Sequence, residues 1–287
     1  MVPRLLKKQK NIVVIAVLCC LICIALGVSL KAIVGSEIEL EESKMSLANR
    51  MEAGEHKSKD GQDILRYRLY VPERPEENRT YPIVVWLHGA GGRGDDNRSH
   101  LDKGVAALTS ETVQQVQRAF VLAPQCPDSH QWVEMEDNGP PYENYAIDEV
   151  PESAWFVLLL ETIARLEKRY PIDVDRRYVA GFSMGAAGVW DIITRHPSYF
   201  AAAMSLAGKG DPSQAARLAQ LPIWAFHGRF DPIAPISNTR SLAKAIAAAG
   251  GRKLKVTELW RKHYIVQHVF KNSEPFRWLF QQRRSSR

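Results

Sequence analysis

Short apolar runs separated by segments of helical periodicity set the frame of this chain. Ile83-Val84-Val85-Trp86-Leu87 and Ala119-Phe120-Val121-Leu122-Ala123 carry no polar side chain at all. Tyr178 to Ala180, Ala201 to Leu206 and Ile223 to Phe226 are further, mostly apolar runs, and the more polar Leu254 to Leu259 completes the set. Runs without alternation predict strands of a parallel sheet covered on both faces. Ile64 to Val71 behaves differently, setting Leu65, Tyr67, Leu69 and Val71 against Arg66 and Arg68, and predicts an edge hairpin strand. Between the runs lie amphipathic helices. Ala154 to Tyr170 is stopped by Pro171, Ala186 to Arg195 by Pro197, and Ser241 to Ala249 by Gly250-Gly251, while Pro275 to Arg283 closes the chain. The alternation predicts the α/β class: an open, mostly parallel central sheet with helices on both faces. In such sheets the reactive groups sit on loops at the carboxyl ends of strands.

Two segments break the pattern. Residues 35–60 are polar and rich in Glu and Ser, and read as a linker; residues 127–151 carry Trp132 among prolines and acids and read as a surface loop. Loops of that length are often functional. The expected organisation is a basic tail and apolar segment over 1–34, a linker over 35–60, and one catalytic domain over 61–287. A chain of 287 residues suits a single large α/β domain behind such a segment.

Ile12 to Leu30 is a run of nineteen positions without a charge. As a helix it would span about 28 Å, close to the hydrocarbon thickness of a bilayer. It exceeds the apolar core usual in a cleaved signal. An uncleaved anchor, a cleaved signal and a buried core helix are the three readings, with the anchor preferred. The basic residues ahead of it would stay in the cytoplasm, placing the body on the far side, periplasmic or extracellular. Charge bears on this too. Arg4, Lys7, Lys8, Lys10, Arg283, Arg284 and Arg287 supply seven positive charges at the two ends, so the formal +6 leaves residues 11–282 at about −1. No basic face is expected on the body, and no nucleic-acid partner. Of four cysteines only Cys126 lies outside the apolar segment, which excludes an intrachain disulfide and a cysteine-based zinc site in the body.

The chemistry starts at Gly181-Phe182-Ser183-Met184-Gly185, where a strand run meets a helix run. G-x-S-x-G in that setting is either an ordinary turn or a nucleophile elbow, with the serine held at a sharp, strained corner. The neighbouring strand ends decide between them. Ile83–Leu87 runs into His88-Gly89-Ala90-Gly91-Gly92, a loop whose backbone N–H groups could face a cavity. The N–H of Met184 and one from Gly89 or Ala90 are the expected oxyanion donors. Ile223–Phe226 runs into a loop holding Asp231, and two histidines follow, His263 and His268, in the order Ser, Asp, His. His263 sits just past the last strand and is preferred as the base, with Asp231 orienting it. His88 and His227 are expected to shape their own loops. Trp132 is expected to border the substrate pocket. No metal and no cofactor are called for.

Taken in order, Trp86-Leu87-His88-Gly89, Ala123-Pro124-Gln125-Cys126-Pro127 with Trp132, Asp173 to Tyr178, Gly181 to Gly185, Trp224 to Gly228 and Trp278-Leu279 form an ordered set. With these motifs the chain from about Leu69 to Arg284 resembles bacterial esterases of the α/β-hydrolase superfamily. It is similar to polyhydroxybutyrate-depolymerase-like, feruloyl-esterase-like and phospholipase/carboxylesterase enzymes. The resemblance implies Ser183 as nucleophile, Asp231 as acid, His263 as base, and a small or polymer-borne ester as substrate. The chain departs from the family pattern at Trp260-Arg261-Lys262 and at Tyr264-Ile265-Val266 around the histidine, and at Gly185-Ala186 after the serine. Two rival readings are a peptidase of the prolyl-oligopeptidase type, for whose gating domain the chain has no room, and an inactive membrane-tethered binding protein.

Overall fold

The computed structural model describes residues 30–73, 76, 78–136 and 139–284. The apolar run over 12–30 lies outside these residues, apart from its last position. Among the described residues no helix is long and apolar enough to cross a membrane. The chain divides into two compact units, Met1–Ser46 and Leu47–Arg287, and the second holds the whole sheet.

Eight strands form that sheet: β1 (Glu52–Lys57), β2 (Ile64–Tyr70), β3 (Tyr81–Leu87), β4 (Phe120–Gln125), β5 (Ile172–Phe182), β6 (Ala202–Leu206), β7 (Ile223–Gly228) and β8 (Leu254–Leu259). They are ordered β1-β2-β4-β3-β5-β6-β7-β8. β2 pairs antiparallel with both β1 and β4, and every pair from β4 to β8 is parallel. The apolar runs that predicted two-sided burial obtain it: β3, β4, β6 and β7 are buried along their whole length. Alternation within β3 shows how. Ile83, Val85 and Leu87 face a core built with Trp155, Phe156 and Leu159 of the helix Ala154–Arg169 and Val189 and Trp190 of the helix Met184–Arg195. Val84 and Trp86 face a second core closed by Val105, Leu108, Phe276 and Leu279.

Two expectations need correction. Residues 35–60 are not a bare linker, since a helix spans Leu30–Asn49 and β1 spans Glu52–Lys57. The strand is hard to see because its positions are exposed or only half-buried, with no apolar face to mark it. Consequently β2 is not an edge strand; β1 covers its outer side.

The chain leaves β3 toward β4 on one side and returns to β5 on the other. That reversal opens a crevice beyond the carboxyl ends of β3 and β5, where open α/β sheets place their ligands.

Candidate active site

Ser183 follows the last residue of β5 and caps the helix Met184–Arg195, with φ 56° and ψ −119°. A non-glycine residue at positive φ is strained, and the surroundings hold it there. Its N–H donates to the Leu206 carbonyl (2.9 Å) and its carbonyl accepts from Ala187 (3.0 Å). The glycines on either side are steric requirements. A Cβ on Gly181 would lie 2.6 Å from the Gly185 carbonyl oxygen, and one on Gly185 would lie 1.9 Å from that of Leu87.

His263 and Asp231 meet this serine. The Ser183 hydroxyl lies 2.7 Å from His263 Nε2, and His263 Nδ1 lies 2.6 Å from Asp231 Oδ2. The other carboxylate oxygen, Oδ1, accepts from the N–H groups of Ile233 (2.9 Å) and Ala234 (3.0 Å). Burial works against the Asp231 charge, but hydrogen bonds from His227 and His263, then from Ala234 and Ile233, outweigh it. They hold the carboxyl well below the usual carboxylate range. An ionised Asp231 obliges His263 Nδ1 to carry the hydrogen, leaving Nε2 as the acceptor for the serine O–H. His268, the other downstream histidine, is exposed on the short helix Val266–Val269 and faces solvent.

The loop that delivers His263 contains no glycine, and β7 explains why none is needed. Gly228 lies so close to that loop that a Cβ would come within 2.1 Å of the Lys262 carbonyl oxygen. The Arg229 N–H donates to Leu259 (2.8 Å) and the Phe230 N–H to Arg261 (3.0 Å). The permissive residue is on the neighbouring strand. His227 shapes the acid loop as expected: its ring nitrogens bond Thr239 Oγ1 (2.7 Å) and the Ala234 carbonyl (2.8 Å).

On the other side, Met184 and Ala90 both line the cleft beside Ser183. Each opens a helix, Met184–Arg195 and the 3-10 turn Ala90–Gly92, so neither N–H has a preceding helical turn to bond. Gly89 packs behind them, its Cβ position 3.5 Å from that of Ser183. Trp132 does not border the cleft. It is fully buried, stacks on Phe156 at 6.0 Å, and donates its indole N–H to the His88 carbonyl at 3.1 Å. Its neighbours Gln131, Val133 and Met135 line the cleft instead, with Tyr142 from the same loop. The loop is strapped down by Tyr142 N–H on the Ile233 carbonyl (2.8 Å), Tyr145 on Asp191 (3.0 Å) and Ile147 N–H on Asp211 (2.8 Å). The cleft encloses about 640 Å³ with its mouth included, and Arg93, Ala207 and Lys209, none legible beforehand, complete its lining with Ala187, Ile233 and Ala234. Among the described residues no His, Cys, Asp or Glu cluster could hold a metal.

His88 and His100 brace the β3 loop from below. His88 Nδ1–H donates to the Gly89 carbonyl (2.7 Å) and Nε2 accepts from Cys126 N–H (3.0 Å). His100 Nε2–H donates to the Ala123 carbonyl (3.0 Å). Burial, the main cause in both, pushes them down to about 4 and about 3. Both are neutral in the fold and more readily protonated once unfolded, so the unfolded chain binds more protons in acid. Their stabilisation is complete above about 6.5 and is lost as pH falls from there toward 4. Together they are worth a few kcal/mol, which sets an expected fall in Tm on the order of 10 °C between pH 7 and pH 4. A Tm unchanged over that range would contradict it, and His100→Gln should flatten part of the slope.

A hydroxyl bonded to an imidazole that a buried carboxylate orients, beside free N–H groups at a helix start, can attack an acyl carbon and stabilise the resulting oxyanion. Known proteins agree with that capability. A family model for esterases, described as "Putative esterase", matches residues 59–274. The chain is similar to the "Putative esterase NocK" of Nocardia uniformis subsp. tsuyamanensis, 23% identical over 198 residues, which cover 67% of this chain and 52% of that protein. It thus spans about half the length of that relative. The crystal structure of a thermostable esterase superposes with TM-score 0.74 at 34% identity, over 83% of this chain and 64% of that one. A ferulic acid esterase shares the fold, with TM-score 0.59 at 15% identity, over 80% of this chain and 98% of that one. Sheet, cleft and family match together place this chain in the esterase family of the α/β-hydrolase superfamily.

Proposed function

We propose that this chain is a serine hydrolase that cleaves carboxylic esters through an acyl-enzyme, with Ser183, His263 and Asp231 as its triad. The observation that supports it most is the continuous hydrogen-bonded line from the Ser183 hydroxyl through His263 to Asp231. As Ser183 Oγ attacks the ester carbonyl carbon, its proton passes to His263 Nε2, and the imidazolium is stabilised by the Asp231 carboxylate. The tetrahedral oxyanion is held by the N–H groups of Met184 and Ala90, each worth roughly 3 kcal/mol. Nε2–H then protonates the departing alcohol as the C–O bond breaks. A water, deprotonated by the same nitrogen, attacks the acyl carbon and releases the acid and free Ser183. A fluorophosphonate probe should label the protein at Ser183 and nowhere in Ser183→Ala; a wild-type protein that stays unlabelled would refute the reading.

We further propose that the run over 12–30 anchors the chain with its catalytic body outside the cytoplasm, as the basic residues before it suggest. Alkaline carbonate should leave the full chain in the membrane pellet, and release into the supernatant would rule an anchor out.

A further inference from the structure

The large aromatic side chains most exposed to solvent lie together beside His263. Phe230 is 55% exposed, Trp260 71% and Tyr264 78%. The Phe230 and Trp260 rings are 5.4 Å apart, and Tyr264 is 5.6 Å from the His263 ring and 6.0 Å from that of Phe182. Their loops are firmly based, since the Phe230 N–H donates to Arg261 and Asp231 grips His263. The rings therefore project from the loops that carry Asp231 and His263, with the Arg229 guanidinium 4.9 Å from the Trp260 ring and Tyr264 beside the partly buried Phe182. Contiguous exposed apolar groups on a folded domain mark an interaction surface.

Two observations identify what it meets. The Phe230 and Trp260 rings are not coplanar, with 53° between them. A sugar or polyester chain stacks on parallel faces, whereas tilted rings present edges and tips that enter a soft layer. Between them lie Arg261 and Lys262, both exposed, and neither forms a salt bridge among the described residues. Aromatic rings interleaved with long cationic side chains are the composition that settles at the headgroup level of a bilayer. The uncompensated positive charge favours an anionic one.

We propose that Phe230, Trp260 and Tyr264, flanked by Arg261 and Lys262, form a docking rim that seats the Ser183 cleft against an anionic phospholipid surface. Arg261 and Lys262 supply attraction to the headgroups, and the three rings enter the boundary between headgroups and acyl chains. The rim belongs to the loops that carry His263 and Asp231, so docking brings the cleft to esters held in or on the membrane.

The sequence offers a reporter that an N-terminal anchor does not obscure. Residues 1–46 contain no tryptophan, and Trp260 is one of seven in the chain. The full-length protein is reconstituted into vesicles containing brominated phosphatidylglycerol or brominated phosphatidylcholine, and its intrinsic tryptophan emission is measured. Phosphatidylglycerol should quench roughly one part in seven of the emission, Trp260 being one of seven. That quenching should vanish in Trp260→Phe and in the double variant Arg261→Glu/Lys262→Glu, whose near-ultraviolet circular dichroism verifies the fold. Equal quenching by the two lipids, or no difference between wild type and Trp260→Phe, would overturn the proposal. So would capture on insoluble xylan or polyester without any vesicle quenching, which would make the rim a polymer-binding surface. None of these readouts needs hydrolysis, so they stand or fall apart from the esterase reading.

Discussion

Replacing Ser183 by alanine is expected to lower kcat for a p-nitrophenyl ester about a million-fold while leaving the fold intact. The size follows from what the hydroxyl does. Among the described residues it is the nucleophile placed 2.7 Å from His263 Nε2, and in the proposed mechanism no covalent intermediate forms without it. His263→Ala should cost about as much, and the double variant no more than either alone, because a nucleophile and its base act as one unit. Residual turnover above the uncatalysed rate would come from the Met184 and Ala90 N–H groups polarising a bound ester for water. Stability should barely move. Alanine keeps the Cβ and hence the same strain at φ 56°, and the bonds to Leu206 and Ala187 are made by the backbone. The checks are kcat on the purified variant, fluorophosphonate labelling and Tm measured together. Turnover within tenfold of wild type would assign the chemistry to another residue.

Legibility of this site in the sequence depended on how far each requirement reached along the chain. The elbow was readable because the demand for Gly181 and Gly185 is local: a Cβ at either would strike backbone a few residues or one strand away. The sheet was readable where strands are buried on both faces, as in β3 and β4, and unreadable at β1, where no position is buried. Asp231 and His263 can be singled out by their place after strands, and the fold brings them together although 32 residues separate them. Trp132 was misplaced because an aromatic within a polar loop looks like a surface group. The buried His88 carbonyl that accepts its indole N–H lies 44 residues upstream, and nothing local announces it. The steric role of Gly228 is hidden for the same reason, since it depends on Lys262. Arg93, Tyr142, Ala207 and Lys209 become neighbours of Ser183 only when three separate loops converge on it. Residues that obey backbone rules can be read one at a time, whereas those that meet across strands require the fold.

Asp231→Asn should lower kcat about ten-thousand-fold, through the histidine's tautomer rather than through lost packing. The carboxylate does two separate jobs. Oδ1 accepts from the Ile233 and Ala234 N–H groups, and Oδ2 accepts from His263, with His227 Nε2 3.4 Å away. An asparagine must keep its oxygen toward the two backbone N–H groups, because turning the amide around would point N–H at N–H and leave buried donors unpaired. Its NH2 then faces His263, whose Nδ1 can meet it only as an acceptor. The ring hydrogen moves to Nε2, which can no longer take the proton from Ser183. Rate should therefore recover as pH rises and hydroxide removes that proton directly, whereas the wild-type rate levels off. A second difference lies in acid. The Asp231 carboxyl is held below its ordinary value, so its contribution to stability is present above pH 3.8 and is lost as pH falls through the lowered value. The amide cannot titrate, so the variant should lose less stability than wild type below pH 3.8, on top of a constant deficit at neutral pH. A kcat within tenfold of wild type at neutral pH would show that Asp231 does not fix the histidine, and the role would pass to another group around His263.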